Sequence, residues 1–346
     1  MNASTIQDQS PQAVKGNQPH IPVMLEEVLA ALAPIEGQVI VDCTFGAGGY
    51  TTALLQAGAA HVYAFDRDPS AIAAGAALAQ TYPDRLTLIE GRFSNLIEHL
   101  AALGIEQVDG VVMDIGVSSM QLDRAERGFS FMRDGPLDMR MSSSGPSAAD
   151  VVNQLPHGEL AHILKFLGEE RSAGRIASAI LRIRAEKPFQ TTSDLVEAIT
   201  GVIPRRAKDR IHPATRSFQA LRIFVNRELE EFAQGMSAAE NLLVSGGRLV
   251  VVSFHSLEDR IAKNYFKSRS EPNSGGSRHI PVAAVQIEPS FKLRSRKALS
   301  ASEAEAAENP RSRSARLRFG IRTDGASMAL DMRGLGVPAL PGFDDL

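Results

Sequence analysis

A β-branched run ending in an acid and then a glycine turn, Val39-Ile40-Val41-Asp42-Cys43-Thr44-Phe45-Gly46-Ala47-Gly48-Gly49-Tyr50, constrains this chain more than any other stretch. It reads as strand, loop and helix, the helix running from about Thr51 to Gln56. Glycines belong in such a loop because a Cβ would keep the backbone away from a nucleotide-like ligand. A second apolar run, residues 62–65, ends in Asp66, where an acid accepts hydrogen bonds from ribose hydroxyls.

The acids decide which nucleoside ligand fits. A dinucleotide fingerprint needs a third glycine where this chain has Thr51, and a pyrophosphate wants bare amides without carboxylates nearby. Here three apolar runs end in acids: Asp42, Asp66 and Asp114. Strand ends converge on the ligand crevice of an open α/β sheet, so three carboxylates there suit a sulfonium and an ammonium. S-adenosylmethionine carries both, which places methyl transfer ahead of hydride transfer by an NAD-dependent oxidoreductase. Any one of these aspartates could instead cap a helix.

Runs at 39–42, 62–66, 86–90 and 110–114 alternate with helical patterns, as in a parallel sheet. A helix over 21–32 precedes them. The alternation stops near Ala125, and a fully apolar strand returns at 246–253. The expected organisation is an α/β Rossmann-like domain (20–124 and 235–322) interrupted by a mostly helical substrate-recognition unit (125–234). Flexible tails are expected at 1–19 and 323–346. No apolar run reaches membrane-spanning length, the polar start lacks a signal-peptide core, and the single Cys43 excludes a disulfide framework or a cysteine-rich zinc site. A cytoplasmic protein without a metal is expected.

The whole chain has a net charge of −3, yet residues 165–227 carry thirteen Lys/Arg against six Asp/Glu. Further basic clusters fall at Lys292, Arg294, Arg296 and Lys297, and at Arg311, Arg313, Arg316 and Arg318. A basic run alone is usually a solvated face, but three around one crevice point to a polyanion. Arg205, Arg206, Arg210, Arg216 and Arg222 form the candidate RNA clamp. Phe218, Leu221, Val225 and Leu229, at helical spacing, are read as core.

The segment Asp114-Ile115-Gly116-Val117-Ser118-Ser119-Met120-Gln121-Leu122-Asp123, with 127–141 after it, resembles the ribosomal RNA small subunit methyltransferase H family, also called MraW. His212-Pro213-Ala214-Thr215-Arg216, Ser253-Phe254-His255-Ser256-Leu257-Glu258-Asp259-Arg260 and 309–318 extend the likeness over roughly 20–320. Met120 departs from it, standing where the family usually has proline. The resemblance implies a class I S-adenosylmethionine-dependent methyltransferase acting on N4 of a cytidine in the decoding region of 16S ribosomal RNA, with the small ribosomal subunit as partner. It also implies cofactor contacts at Gly48, Gly49, Tyr50, Asp66, Phe93, Asp114 and Gln121.

For attack by a delocalised cytosine amine, Asp114 and the hydroxyls of Ser118 and Ser119 are the suitable acceptors, although the serines equally suit a turn or helix cap. The (Ser/Asp/Asn)-Pro-Pro-aromatic turn of DNA amino-methyltransferases is absent, which disfavours DNA. His255 is read as a structural donor. A non-catalytic ribosome-associated RNA-binding protein on the same scaffold is the rival of a different class.

Overall fold

The computed structural model describes residues 22–142, 144–204, 211–272 and 287–340. The chain order is α1 (Leu25–Leu32), β1 (Val39–Asp42), α2 (Gly49–Gln56), β2 (His61–Asp66), α3 (Pro69–Thr81), β3 (Leu86–Glu90), α4 (Leu96–Ala102), β4 (Val108–Asp114) and α5 (Ser119–Asp123). Helices α6 (Ala148–Gln154), α7 (His157–Leu167), α8 (Ala173–Arg184), α9 (Thr192–Val202), α10 (Thr215–Asn226) and α11 (Glu228–Leu242) follow. The chain then forms β5 (Leu243–Ser253), α12 (Ser256–Ser270), β6 (Phe291–Lys292), β7 (Leu299–Ser300), α13 (Glu303–Glu308), β8 (Arg316–Arg322) and α14 (Met332–Leu335).

One sheet runs β3-β2-β1-β4-β5-β8-β6, with β7 also on β8. The first five strands are parallel, and β8 is antiparallel to β5, β6 and β7. Strand order reverses at β1, between β2 and β4, so a crevice opens at their carboxyl ends. Each buried strand feeds two cores by period-two alternation. Val41, Val111, Met113, Leu249 and Val251 enter one, while Ile40, Val112, Val250 and Val252 enter the other with α1 and α2.

The inserted helices α6–α10 do not form a separate globule. Leu160, Ile163, Ile180, Phe218 and Leu221 belong to the same buried cluster as the first sheet face. Phe218, Leu221, Val225 and Leu229 are all buried, as their spacing predicts. The boundary expected at 234/235 is corrected, because it bisects α11. That helix contributes Phe232, Met236, Ala239 and Leu242 to the sheet's own core and leads directly into β5. A helical run in sequence does not distinguish an insertion from the last cover of the sheet. Arg227 adopts left-handed backbone (φ 50°) between α10 and α11.

The flexible tail expected at 323–346 is also corrected for residues 323–340. Leu335 and Val337 are buried, Asn264 Nδ2 donates to the Leu335 carbonyl (3.0 Å), and His162 Nε2 lies 3.0 Å from the Ala339 carbonyl. The segment 1–19 and residues 341–346 lie outside the described residues. Among the described residues, no helix is long and apolar enough to cross a membrane.

Candidate active site

A cavity of about 780 Å³ occupies the crevice at the carboxyl ends of β1, β2 and β4. Its wall includes Gly46, Gly49, Tyr50, Asp66, Phe93, Asp114, Ser118 and Gln121 from the sheet side, and Arg222, Glu228, Glu231, His255 and Glu258 from helices α10–α12 or their caps.

Asp42 does not reach the cavity. It is fully buried, accepting from the Thr44 amide (3.0 Å) and the Thr51 hydroxyl (2.7 Å), and so staples the glycine turn to α2. Burial raises its carboxyl despite these bonds. The expectation of three carboxylates in the crevice is corrected to two strand-end acids, because donors within reach bind the first one inward. Thr51, which breaks the dinucleotide pattern, is what holds it.

Asp66 reaches across to the turn, accepting from the Gly46 amide (2.8 Å) and the Asp68 amide (2.8 Å). Each oxygen keeps a lone pair for a ligand. Burial, only partly offset by those amides, pushes its carboxyl up to about 6. Asp68 is the cap of α3 and also takes Gln121 Nε2 (3.0 Å) and Arg127 Nη1 (2.7 Å), tying the loop after β4 to the loop after β2. Burial opposes ionisation, but the bonds from Gln121, Ser70 and Arg127 hold its carboxyl below the ordinary range.

Asp114 is the contrasting case. Its backbone N–H is held by the Thr44 hydroxyl (2.9 Å), while its Oδ1 is buried without a partner. Burial, with Asp42 and Glu258 nearby, raises its carboxyl well above the usual range. Three buried polar atoms without a hydrogen-bond partner belong to residues of this one cavity wall, Asp114 Oδ1, Arg67 Nε and Glu231 Oε1, while His255 Nε2 and Glu258 Oε1 lie 2.9 Å from each other. Native interiors rarely leave such atoms unmatched, so their concentration here marks a site shaped for a polar ligand.

The other expected residues divide. Gly49, Tyr50 and Phe93 line the cavity, and the Tyr50 hydroxyl donates to the Val23 carbonyl. Gly48 is not in its wall. It caps α2 in left-handed backbone (φ 77°), and a Cβ there would sit 2.9 Å from the Phe45 ring, so its glycine serves the turn and the packing. Ser118 caps α5, its hydroxyl accepting from the Gln121 amide (3.2 Å) while Gln121 Oε1 accepts from the Ser118 amide (3.1 Å). Ser119 opens α5, and its side chain lies outside what is described.

Of the candidate clamp, Arg205, Arg206 and Arg210 lie outside the described residues, and Arg216 is exposed in the first turn of α10. Arg222, expected as a phosphate contact, is engaged within the chain. Its guanidinium is sunk into the cavity wall in a bidentate pair with Glu228, at 2.8 Å from both Nε and Nη2. His255 is the cap of α12, its Nδ1 accepting from the Glu258 amide (3.4 Å), and its Nε2 lies 2.9 Å from Glu258 Oε1 in an off-axis contact.

Arg67, Glu231 and Glu258 carry no local motif for chemistry. Only the pattern of a polar residue followed three positions later by Glu258 signalled a helix start. Arg67 and Glu231, 164 positions apart, had no sequence signal as a pair.

The MraW methylase family model matches residues 17–322. The chain is 58% identical over 321 residues to the ribosomal RNA small subunit methyltransferase H of Sinorhizobium medicae, covering 93% of this chain and 92% of that one. It is 56% identical over 329 residues to the protein of that name from Brucella anthropi, covering 94% of each. Among solved structures, an rRNA methylase from Streptococcus thermophilus aligns at 11% identity and a TM-score of 0.36 over 87% of this chain and 94% of that one; the assignment does not rest on it. The chain belongs to the MraW methylase family.

Proposed function

We propose that this protein transfers a methyl group from S-adenosylmethionine to N4 of a cytidine in the decoding region of 16S ribosomal RNA, acting in the cytoplasm on the small ribosomal subunit. The observation that carries the reading is the unpartnered carboxylate oxygen of Asp114 in the wall of the cavity. Family membership and the methyltransferase H relatives support the choice of substrate.

The residues present fit an adenosyl sulfonium ligand. Asp66 would accept from the ribose hydroxyls, Phe93 would lie against adenine, and the turn at Gly46 and Gly49 would admit the amino-acid end. When bound, this ligand supplies an electrophilic methyl carbon on sulfur. The nucleophile is an amine whose lone pair is spread into a ring. Asp114 would accept a hydrogen from that amine and fix its approach. As positive charge grows on nitrogen, the same carboxylate stabilises it and can take the proton. The raised proton affinity of Asp114 suits the second task, taking the proton. In this reading Ser118 and Gln121 position the loop around the reacting atoms and do not exchange protons. A duplex would bury the target amine, so the cytidine enters single-stranded or flipped.

The decisive test is mass mapping of small-subunit ribosomal RNA after incubation with the pure protein and labelled S-adenosylmethionine. One methyl on a cytidine N4 is expected, and a bound cofactor with no incorporation would favour a non-catalytic RNA-binding role.

Asp66→Ala is expected to weaken S-adenosylmethionine binding by about 1.5–3 kcal/mol, the range for hydrogen bonds to a charged acceptor. The pH dependence follows from the raised Asp66 carboxyl. Only the ionised form accepts at both oxygens, so affinity should be full above a pH of about 6 and decline as pH falls through that value. Calorimetric titration between acid and neutral pH checks both points. An unchanged affinity in a folded Asp66→Ala protein would remove Asp66 from the ligand.

A further inference from the structure

The wall of the crevice is acidic. Among the described residues it holds Asp66, Asp114, Asp123, Glu228, Glu231 and Glu258 against three arginines. Two of those arginines are engaged by buried carboxylates, Arg67 by Glu231 at 2.7 Å and Arg222 by Glu228 at 2.8 Å, and only 10% and 14% of their side chains are exposed. Such an interior suits a cationic ligand and repels a phosphodiester. A nucleotide can therefore bring its base inside while its phosphates stay at the rim. Arg311 is the third arginine. It lines the same cavity, yet 46% of its side chain is exposed, and it lies 3.4 Å from Asp123, itself 70% exposed.

Local bonds hold Arg311 in place. Its backbone N–H donates to Asn309 Oδ1 (3.2 Å), Pro310 opens the 3₁₀ turn Pro310–Ser314, and the buried Ser312 donates its hydroxyl to the Asn309 carbonyl (2.8 Å). The backbone beneath the guanidinium is thus fixed while the side chain reaches solvent. Asp123 is the last residue of α5, the helix capped by Ser118, so the contact joins two segments 188 positions apart. An exposed pair of this kind contributes only about 0–1 kcal/mol, whereas a phosphate takes the arginine fork through two parallel hydrogen bonds. Resting on the cytidine-methylation reading above, we propose that Arg311 exchanges Asp123 for a phosphate flanking the target nucleotide, holding the RNA backbone at the rim as the base enters. A latch that merely joined the two segments would suffer from the loss of either partner. A phosphate contact gives opposite effects, because Asp123 competes with the phosphate and repels it.

Steady-state methylation of small ribosomal subunits by the full-length protein, beside calorimetry with S-adenosylhomocysteine, separates the two. Arg311→Ala should raise KM for the subunit about tenfold, the low end for a hydrogen bond to a charged group. Its kcat and its affinity for S-adenosylhomocysteine should stay within about twofold, since the contact is made equally before and during methyl transfer. Arg311→Lys, which keeps the charge and loses the fork, should raise KM by only about threefold. Asp123→Asn should lower KM, by up to about fivefold if the exposed pair is at the top of its usual range. The fall of log kcat/KM with log salt should be shallower by about 0.7 in Arg311→Ala, one phosphate contact on a single strand, and unchanged in Asp123→Asn. An unchanged KM in Arg311→Ala, or a rise in Asp123→Asn that matches it, would overturn the assignment. So would a loss of S-adenosylhomocysteine affinity in Arg311→Ala with KM for the subunit unchanged, which would give the guanidinium to the cofactor's carboxylate. A wild-type protein that binds S-adenosylhomocysteine but methylates no subunit would refute the cytidine reading itself, and this assignment with it.

Discussion

Replacing Asp114 by Asn is expected to slow single-turnover methylation by on the order of 100-fold or more while raising the melting temperature. The two effects share one cause. Oδ1 of Asp114 is buried with no donor, and Asp42 and Glu258 add like charge nearby. An uncompensated carboxylate of this kind weakens the fold, so an isosteric neutral amide relieves it. The sign follows from the raised proton affinity. A carboxyl whose native value lies above its unfolded value costs stability at neutral pH, a cost that fades as pH falls toward the unfolded value. In the substituted protein this part of the pH dependence should disappear. Turnover suffers because the amide has no charge to meet the cation forming on the attacking nitrogen, while cofactor affinity changes less. Single-turnover assays at saturating cofactor and subunit, beside thermal melts from acid to neutral pH, measure both. Near-normal turnover with weakened cofactor binding would reduce Asp114 to a ligand contact.

Arg222→Ala should cost about 3–5 kcal/mol of stability, a loss visible without RNA or cofactor. Glu228 is almost wholly buried, and its partner is held at 2.8 Å through two nitrogens, so removing the guanidinium strands a carboxylate in the cavity wall. The double substitution Arg222→Ala with Glu228→Gln should recover much of the loss, because the stranded charge goes too. Denaturant titrations of the four proteins give the coupling directly. A loss below about 1 kcal/mol, typical of exposed pairs, would contradict this placement and restore Arg222 as a candidate RNA contact.

The strands and the glycine turn were legible because their determinants are local: β-branched runs, glycines, and acids at the run ends. What those acids do was not local. Asp42, Asp66 and Asp114 look equivalent in sequence, and only the surrounding donors separate them. Thr51 binds the first, two amides hold the second, and Oδ1 of the third has no donor. The same limit hid the packing of 323–340, a Gly- and Pro-bearing stretch whose order comes from contacts with Asn264 and His162 far upstream. The excess of basic residues was read correctly as a count. Whether one arginine is free depends on a particular partner, as Glu228 shows for Arg222.

The left-handed break at Arg227 has a consequence for how this enzyme could be inherited or rebuilt. Asn226, the residue before it, ties three parts of the chain together: its side chain accepts from the Met141 amide and donates to the Met139 carbonyl, and its own carbonyl takes Arg67. The helical segment on one side of the break and the sheet cover on the other are thus cut from one piece of cloth. Excision or transplantation of the segment would carry away the anchor of Arg67 at the Asp66 end of the cavity. Sequence drift in the inserted helices is consequently answerable to the sheet side, because replacing that segment would also disturb Arg67 in the cavity wall.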